Sequence, residues 1–423
     1  MVQPSRILIA MVVSMFFGYM PWYGFSAVSS HLVREFGLTP QQVGAILSAF
    51  QLGYVVTVIA SGILADRFGN KRVLVWATLA TAVFSTFFPF LSTGFKSIFA
   101  LRLATGLSAG AIYAPGMALL AAWFPPQRRG MAIGAYTAAL TASYAGGYLV
   151  ASPIAAAFSW RLGILCISAP VFLAAFILCF FVTDAPSASP RPSETKKACR
   201  GGRPAWFPGG IKAPLLLTLG YFGHMWELYA FWGWVGPFLV ACALQAGWTV
   251  PRAESFSGVS SSCIILSGSL AVAGIGMLSD RIGREKTILL SGLASGAAEF
   301  LFGFLHGAPL PVTLGVGSWI GFWSVADSAV YKAGLSETVS PACRGTALGL
   351  QSAIGYLATV ISPLLFGWIL GTEAFVLGER ARWGLAFSIL GTGALLAPAA
   401  MFLFPERGKG WNRKEFLGSS NRD

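Results

Sequence analysis

An all-α membrane protein of twelve transmembrane helices, arranged as two similar six-helix halves, is the fold this sequence predicts. Three observations predict it. Of 423 residues, 55% are hydrophobic and only 11% are charged. Uncharged runs such as Ile7 to Ser30, Gln41 to Ala65 and Gly130 to Trp160 exceed the roughly 20 residues that cross a bilayer. The chain also repeats itself: Gly62-Ile-Leu-Ala-Asp66-Arg67-Phe-Gly69-Asn-Lys71-Arg72 returns as Gly276-Met-Leu-Ser-Asp280-Arg281-Ile-Gly283-Arg284-Glu-Lys286, and Arg129-Gly130-Met-Ala132-Ile-Gly134 returns as Arg344-Gly345-Thr-Ala347-Leu-Gly349.

Taken in order, the apolar runs place spans near 7–29, 41–65, 73–92, 97–122, 131–155, 162–183, 213–240, 256–279, 287–305, 309–335, 343–369 and 383–404. Lipid offers no partner to a free backbone group, so each must be helical. The first run lacks a small-residue cleavage site and reads as a retained helix. Residues 1–183 form the first half and 213–404 the second, joined by a Pro, Gly, Ser and basic stretch over 184–212, with a tail over 405–423. The opening helices match as well, Phe17-Gly18-Tyr19-Met20 against Phe222-Gly223-His224-Met225.

A net charge of +13 suggests nucleic acid in a soluble protein, but here its placement reads as topology. With the N-terminus cytoplasmic, the cytoplasmic segments collect most of the Lys and Arg, including Arg67, Lys71, Arg72, Arg128, Arg129, Arg281, Arg284, Lys286 and Arg344. The opposite side holds Arg34, Lys96, Arg161, Arg252, Arg380 and Arg382. This bias orients a multi-pass protein of the cytoplasmic membrane with both termini inside. Nucleic acid is not an expected partner; the bilayer is, and the protein is expected to be a monomer. Six cysteines show no disulfide or metal spacing. No Walker loop, nucleophile elbow, zinc spacing or dinucleotide fingerprint is present, so no enzymatic activity, cofactor or metal is expected.

The two Gly-x-Leu-(Ala/Ser)-Asp-Arg-x-Gly turns, following the second and eighth spans, resemble the signature loop of the major facilitator superfamily. Helix count, linker position and repeat spacing extend the resemblance over the whole chain. It implies alternating-access transport of a small solute, usually driven by a proton or solute gradient, and says almost nothing about which solute. Two halves that rock about a central site suit such a device.

Candidate residues follow. Gly62, Asp66, Arg67, Gly69 and Arg72, with Gly276, Asp280, Arg281 and Gly283, are expected to latch the cytoplasmic side. In that latch Asp66 faces the start of the eleventh helix near Arg344, and Asp280 the start of the fifth near Arg129. The bland alternative is a pair of turns that only fix topology. Arg102, inside the fourth span in an Arg-x-x-x-Gly pattern, is expected either to attract an anion or to brace helices through backbone carbonyls. Tyr221, His224 and Glu227 lie at three-residue steps on the seventh helix, so imidazole and carboxylate are placed to share a coupling proton, or else to tie two helices together.

On the tenth helix Trp319, Trp323, Asp327 and Tyr331 recur every four residues, as a substrate wall or as packing. Lys332 beside them reads as a snorkelling side chain. Glu299 sits mid-span in a helix that the resemblance places at the periphery, with no assigned role. Tyr19, Tyr23, Gln51, Tyr113, Tyr144 and Gln351 complete a hydroxyl- and amide-rich lining.

The expected function is proton-coupled transport of a small polar, anionic solute. One alternative is proton-driven efflux of amphipathic compounds, drawing on Trp226, Phe231, Trp319 and Trp323. Against it, the fifth helix has Ala145-Gly146-Gly147-Tyr148 and a late Pro153 in place of the Gly-Pro-x-x-Gly-Gly pattern of the superfamily's drug antiporters. A non-transporting receptor or scaffold on the same fold is a further alternative.

Overall fold

The computed structural model describes residues 3–184, 210–340, 343–372 and 378–403. The inter-half linker and the tail with its basic residues therefore lie almost wholly outside the described residues. Within them the chain is helical, with no strand.

The first span is made of three pieces, α1 (Pro4–Tyr19), α2 (Gly24–Ala27) and α3 (Ser29–Phe36). Its break falls at Met20-Pro21-Trp22-Tyr23, where a proline removes a donor from the helical ladder. Next come α4 (Pro40–Phe68), α5 (Asn70–Leu91), α6 (Phe95–Ala109) and α7 (Tyr113–Trp123), then α8 (Pro126–Ala157) and α9 (Trp160–Phe181). The second half holds α10 (Lys212–Gln245), α11 (Val250–Ile282), α12 (Arg284–Phe302) with a short 3₁₀ turn, α13 (Leu310–Ala326), α14 (Ser328–Thr338), α15 (Arg344–Leu370), α16 (Glu379–Ala394) and α17 (Leu396–Phe402).

Each of the twelve expected spans has its counterpart, with the fourth split into α6 and α7, the tenth into α13 and α14, and the twelfth into α16 and α17. Helix ends are set by local chemistry. The Thr39 hydroxyl accepts from Gln42 N while the Gln42 side chain accepts from Thr39 N, closing a capping box on α4. The repeated loops turn at Gly69 (φ 88°) and Gly283 (φ 95°), a backbone region that side chains resist.

The halves meet unevenly. At the end away from the repeated loops α4 packs on α15 and α8 on α11. Cross-half hydrogen bonds collect there: Gln41 Nε2 donates to Gly371 O at 2.7 Å, Tyr148 OH to Trp232 O at 2.7 Å and Tyr23 OH to Tyr229 O at 3.4 Å. Backbones approach so closely that a Cβ on Gly44 would stand 2.6 Å from Pro363 O. Gly367 meets Pro40, and Gly258 meets Ser152, just as tightly.

At the loop end the same four helices stand apart. Gly62 of α4, Gly134 of α8, Gly276 of α11 and Gly349 of α15 face open space, with no neighbour inside 4 Å of a built Cβ. Each lies 18 residues from its crowded counterpart, Gly44, Ser152, Gly258 and Gly367. With 3.6 residues per turn, that is five whole turns, so both marks sit on one face of each helix. The bundle is sealed at one end and open at the other.

Candidate functional site

The centre is built around the break in the first span. The Arg102 guanidinium caps the freed carbonyls there, with Nη1 donating to Pro21 O at 3.1 Å and Nη2 to Trp22 O at 2.6 Å. It lies 4.2 Å over the Phe50 ring. The buried fork is spent on two carbonyls and an aromatic face in this conformation, which leaves little for an anion. Trp22, held by this brace, packs against Tyr19 (5.2 Å between centroids), Phe50 (4.6 Å), Tyr54 (4.7 Å) and Tyr144 (5.1 Å).

The expected lining largely converges on this cage. Tyr19 OH donates to Ala109 O at 2.9 Å, Tyr23 and Tyr144 meet edge to face at 5.3 Å, and Gln51 Oε1 accepts from Thr359 Oγ1 of the other half at 3.4 Å. Below it, toward the open end, Tyr113 shares a hydrogen bond with Thr137 at 2.9 Å and stacks on Tyr136. Gln351 is buried there, its Nε2 donating to Leu217 O at 3.5 Å.

The second half holds a buried acid cluster. His224 on α10 lies with Nδ1 2.9 Å from Asp327 Oδ1 and Nε2 2.7 Å from Ser328 Oγ, its ring 5.8 Å from that of Tyr221. Both partners sit at the junction of α13 and α14, where the helix break lets Asp327 turn inward. The Ser295 hydroxyl of α12 stands 3.1 Å from each Glu227 oxygen. Glu299, one turn further along α12, is 0% exposed with neither carboxylate oxygen hydrogen-bonded.

This corrects the expected His224–Glu227 pairing. Three residues advance a helix by roughly 300°, enough to share a side but not to converge on one neighbour. The carboxylate beside His224 is Asp327, and Glu227 turns to α12. Glu299, expected at the periphery, is enclosed within this cluster's half.

Other expectations are also corrected. Trp319 is 52% exposed and donates to Ala294 O of α12 at 3.0 Å, while Trp323 packs on Ala271, Ile275 and Ala326. Steps of four overshoot a turn by about 40° each, so a stripe from residue 319 to 331 drifts about 120° around the helix. The tryptophans therefore face neighbouring helices and the periphery while Asp327 and Tyr331 face inward. Trp226 donates to Ile389 O and Phe231 is buried against Phe302 and Phe387, so none of the four aromatic residues of the efflux alternative forms a substrate wall. Lys332 does not snorkel: its Nζ donates to Ser352 Oγ at 2.6 Å and lies 4.2 Å over the Tyr221 ring.

At the open end Asp66, Arg67 and Arg72 are exposed. Asp280, also exposed, pairs with Arg284 of its own half at 2.7 Å rather than with Arg129. Arg284 reaches Glu337 at 3.3 Å, and Arg344 Nε donates to Ser336 O at 2.8 Å. Arg281 is exposed, and Arg129 has no hydrogen bond at its buried Nε.

Sequence reasoning missed the seal at the other end. Glu254 of α11, itself buried, takes Arg34 Nη2 at 2.5 Å and Ser30 Oγ at 2.6 Å on Oε1, with His31 Nε2 at 2.8 Å from Oε2. The available signal was a lone acid opening the eighth span against Ser30, His31 and Arg34 closing the first. Nearby, the Arg161 fork clamps Glu35 at 2.6 Å, with the Trp160 indole adding a hydrogen bond.

A two-halved membrane bundle, sealed at one end and carrying buried ionisable groups within its second half, is the architecture of a secondary transporter. A profile of the Major Facilitator Superfamily matches residues 11–251, and the chain belongs to that family. It is a multi-pass membrane transporter and not an enzyme. A hexuronate transporter of Bacillus subtilis is 26% identical over 91% of both chains. A probable sulfoacetate transporter of Cupriavidus necator is 24% identical over 94% of this chain and 93% of its own. The crystal structure of a bacterial homologue of the lysosomal transporter Spinster, inward-facing and occupied, superposes with a TM-score of 0.74 at 16% identity, covering 95% and 97% of the two chains.

Proposed function

We propose that this protein is a proton-coupled carrier of a small anionic solute, a carboxylate or sulfonate, across the cytoplasmic membrane. The repeated loops and both termini lie in the cytoplasm, so the structure is the inward-open state. The reading rests above all on the buried cluster of His224, Asp327, Glu227 and Glu299. Ionisable groups inside a membrane bundle are costly unless paired or used, and they mark ion and proton paths. The solute class draws on the full-length similarity to hexuronate and sulfoacetate carriers.

Tyr19, Tyr23, Gln51, Tyr113, Tyr144, Tyr221 and Gln351 then offer hydroxyl and amide groups to the solute. Asp66 and Asp280 act in the opposite state, closing the cytoplasmic side. The test is uptake of radiolabelled D-glucuronate and sulfoacetate into liposomes holding only the purified chain. Accumulation driven by an inward proton gradient and lost on adding a protonophore supports the proposal. Uptake indifferent to the gradient refutes coupling, and no uptake of either anion refutes the solute class.

A further inference from the structure

The acid cluster leaves one membrane-depth charge unexplained. Lys332 sits midway along α14, partly exposed, with six residues still to run before the helix ends at Thr338. Its ammonium has three donors. One is used, on Ser352 Oγ, and the Tyr221 ring covers one side.

Among the described residues Lys332 forms no ion pair. One turn away on its own helix stand Ser328 and Ser336, where an acid would have neutralised it. Asp327 lies five residues back and so points roughly 140° away around the helix, toward His224. Glu227 is turned to Ser295. Arg102, a buried cation toward the sealed end, already binds two backbone carbonyls and the Phe50 face.

A desolvated cation without a counterion is unfavourable in a membrane unless something transient supplies the charge. We infer that Lys332, flanked by Ser352 and Tyr221, is the subsite that receives the solute's carboxylate or sulfonate. The geometry suits either group, because an ammonium is a compact point charge with no demand for a planar, two-pronged partner. Tyr221 then joins the subsite to the acid cluster, since its ring contacts both Lys332 and His224. An anion seated on Lys332 is thus one aromatic ring from the groups assigned to the proton.

This inference rests on the anionic-solute reading, and the test separates the two. D-glucuronate and sulfoacetate are titrated calorimetrically into the purified wild type, Lys332→Gln and Lys332→Arg. The expected result is binding by the wild type, a Kd about ten- to a hundredfold higher in Lys332→Gln, as for a lost hydrogen bond to a charged group, and recovery of most of the affinity in Lys332→Arg. In parallel the wild-type ammonium is acylated with a membrane-permeant succinimidyl ester, and modification is counted by mass spectrometry. Glucuronate or sulfoacetate should slow modification of Lys332, a readout that needs no variant to fold. If the wild type binds neither anion, the solute reading falls and takes this subsite with it. If it binds while Lys332→Gln binds equally well, or while Lys332 goes unprotected, the subsite is refuted and the solute reading stands.

Discussion

Replacing Glu254 by Gln should unbalance the carrier. The substitution keeps shape but removes the charge that gathers Arg34, His31 and Ser30 from the first half onto α11 of the second. Hydrogen bonds to charged groups contribute about 1.5–3 kcal/mol each when buried. The Arg34 side chain is 44% exposed, so its share is at most about 1 kcal/mol. His31 and Ser30 retain weaker bonds to the amide.

The net loss is therefore about 2–3 kcal/mol, all of it from the state sealed at this end. At tenfold per 1.4 kcal/mol, the ratio of inward-open to outward-open molecules should fall about 30- to 150-fold. Spin labels at Lys96→Cys and Arg252→Cys, one on each half at the sealed end, report the change by electron–electron resonance. A long-distance population should appear in Glu254→Gln and be rare in its parent. A distance distribution identical to the parent's, in folded protein, would refute the assignment of this cluster as the seal.

Further outcomes follow from the same geometry. Glu227→Gln should abolish accumulation driven by a proton gradient while leaving solute exchange measurable, and accumulation at the parent's rate would remove Glu227 from the coupling path. Arg102→Ala frees the Pro21 and Trp22 carbonyls and the Phe50 face, so thermal unfolding should show a loss of about 2–5 kcal/mol, as for two buried acceptors left unsatisfied. Arg102→Lys, which cannot reach both carbonyls as a fork does, should recover less than half of it. Gly349→Leu and Gly134→Leu fill space that is open here, so the inward-open state should keep its stability while cytoplasmic closure is blocked. Cysteines placed in the cavity should then react from the cytoplasmic side alone.

How much of this was legible beforehand depended on the range of the interaction. Helix number, the pairing of the halves and the turn glycines follow from local composition and repetition, and the structure carries each of them. The convergence of Tyr19, Tyr23 and Tyr144 was also legible, because polar residues at helical spacing in an apolar span mark an inner face. The acid cluster was only half legible. His224 and Glu227 stood out as residues, but their partners Asp327 and Ser295 come from helices about 70 to 100 positions away, and no periodicity encodes which neighbour a side chain chooses. The tenth span misled because a break at Asp327 resets the face just where a four-residue stripe had already drifted. For Arg102, bracing through carbonyls was one of two readings, but which carbonyls it would meet was not legible: its acceptors are exposed only because the first span breaks at Pro21.

The 18-residue interval between the crowded and open marks on α4, α8, α11 and α15 bears on what changes the chain can tolerate. Loops between spans can lengthen freely, as they have between the two halves, since they leave every helix face where it was. One residue added inside α4 between Gly44 and Gly62 turns the far mark through about 100°. Such an insertion leaves a protein that folds and seals at one end, yet presents bulk where the other end needs to meet. Length inside these four helices is therefore held by the motion, and the damage from a single inserted residue should be found in turnover before it is found in stability.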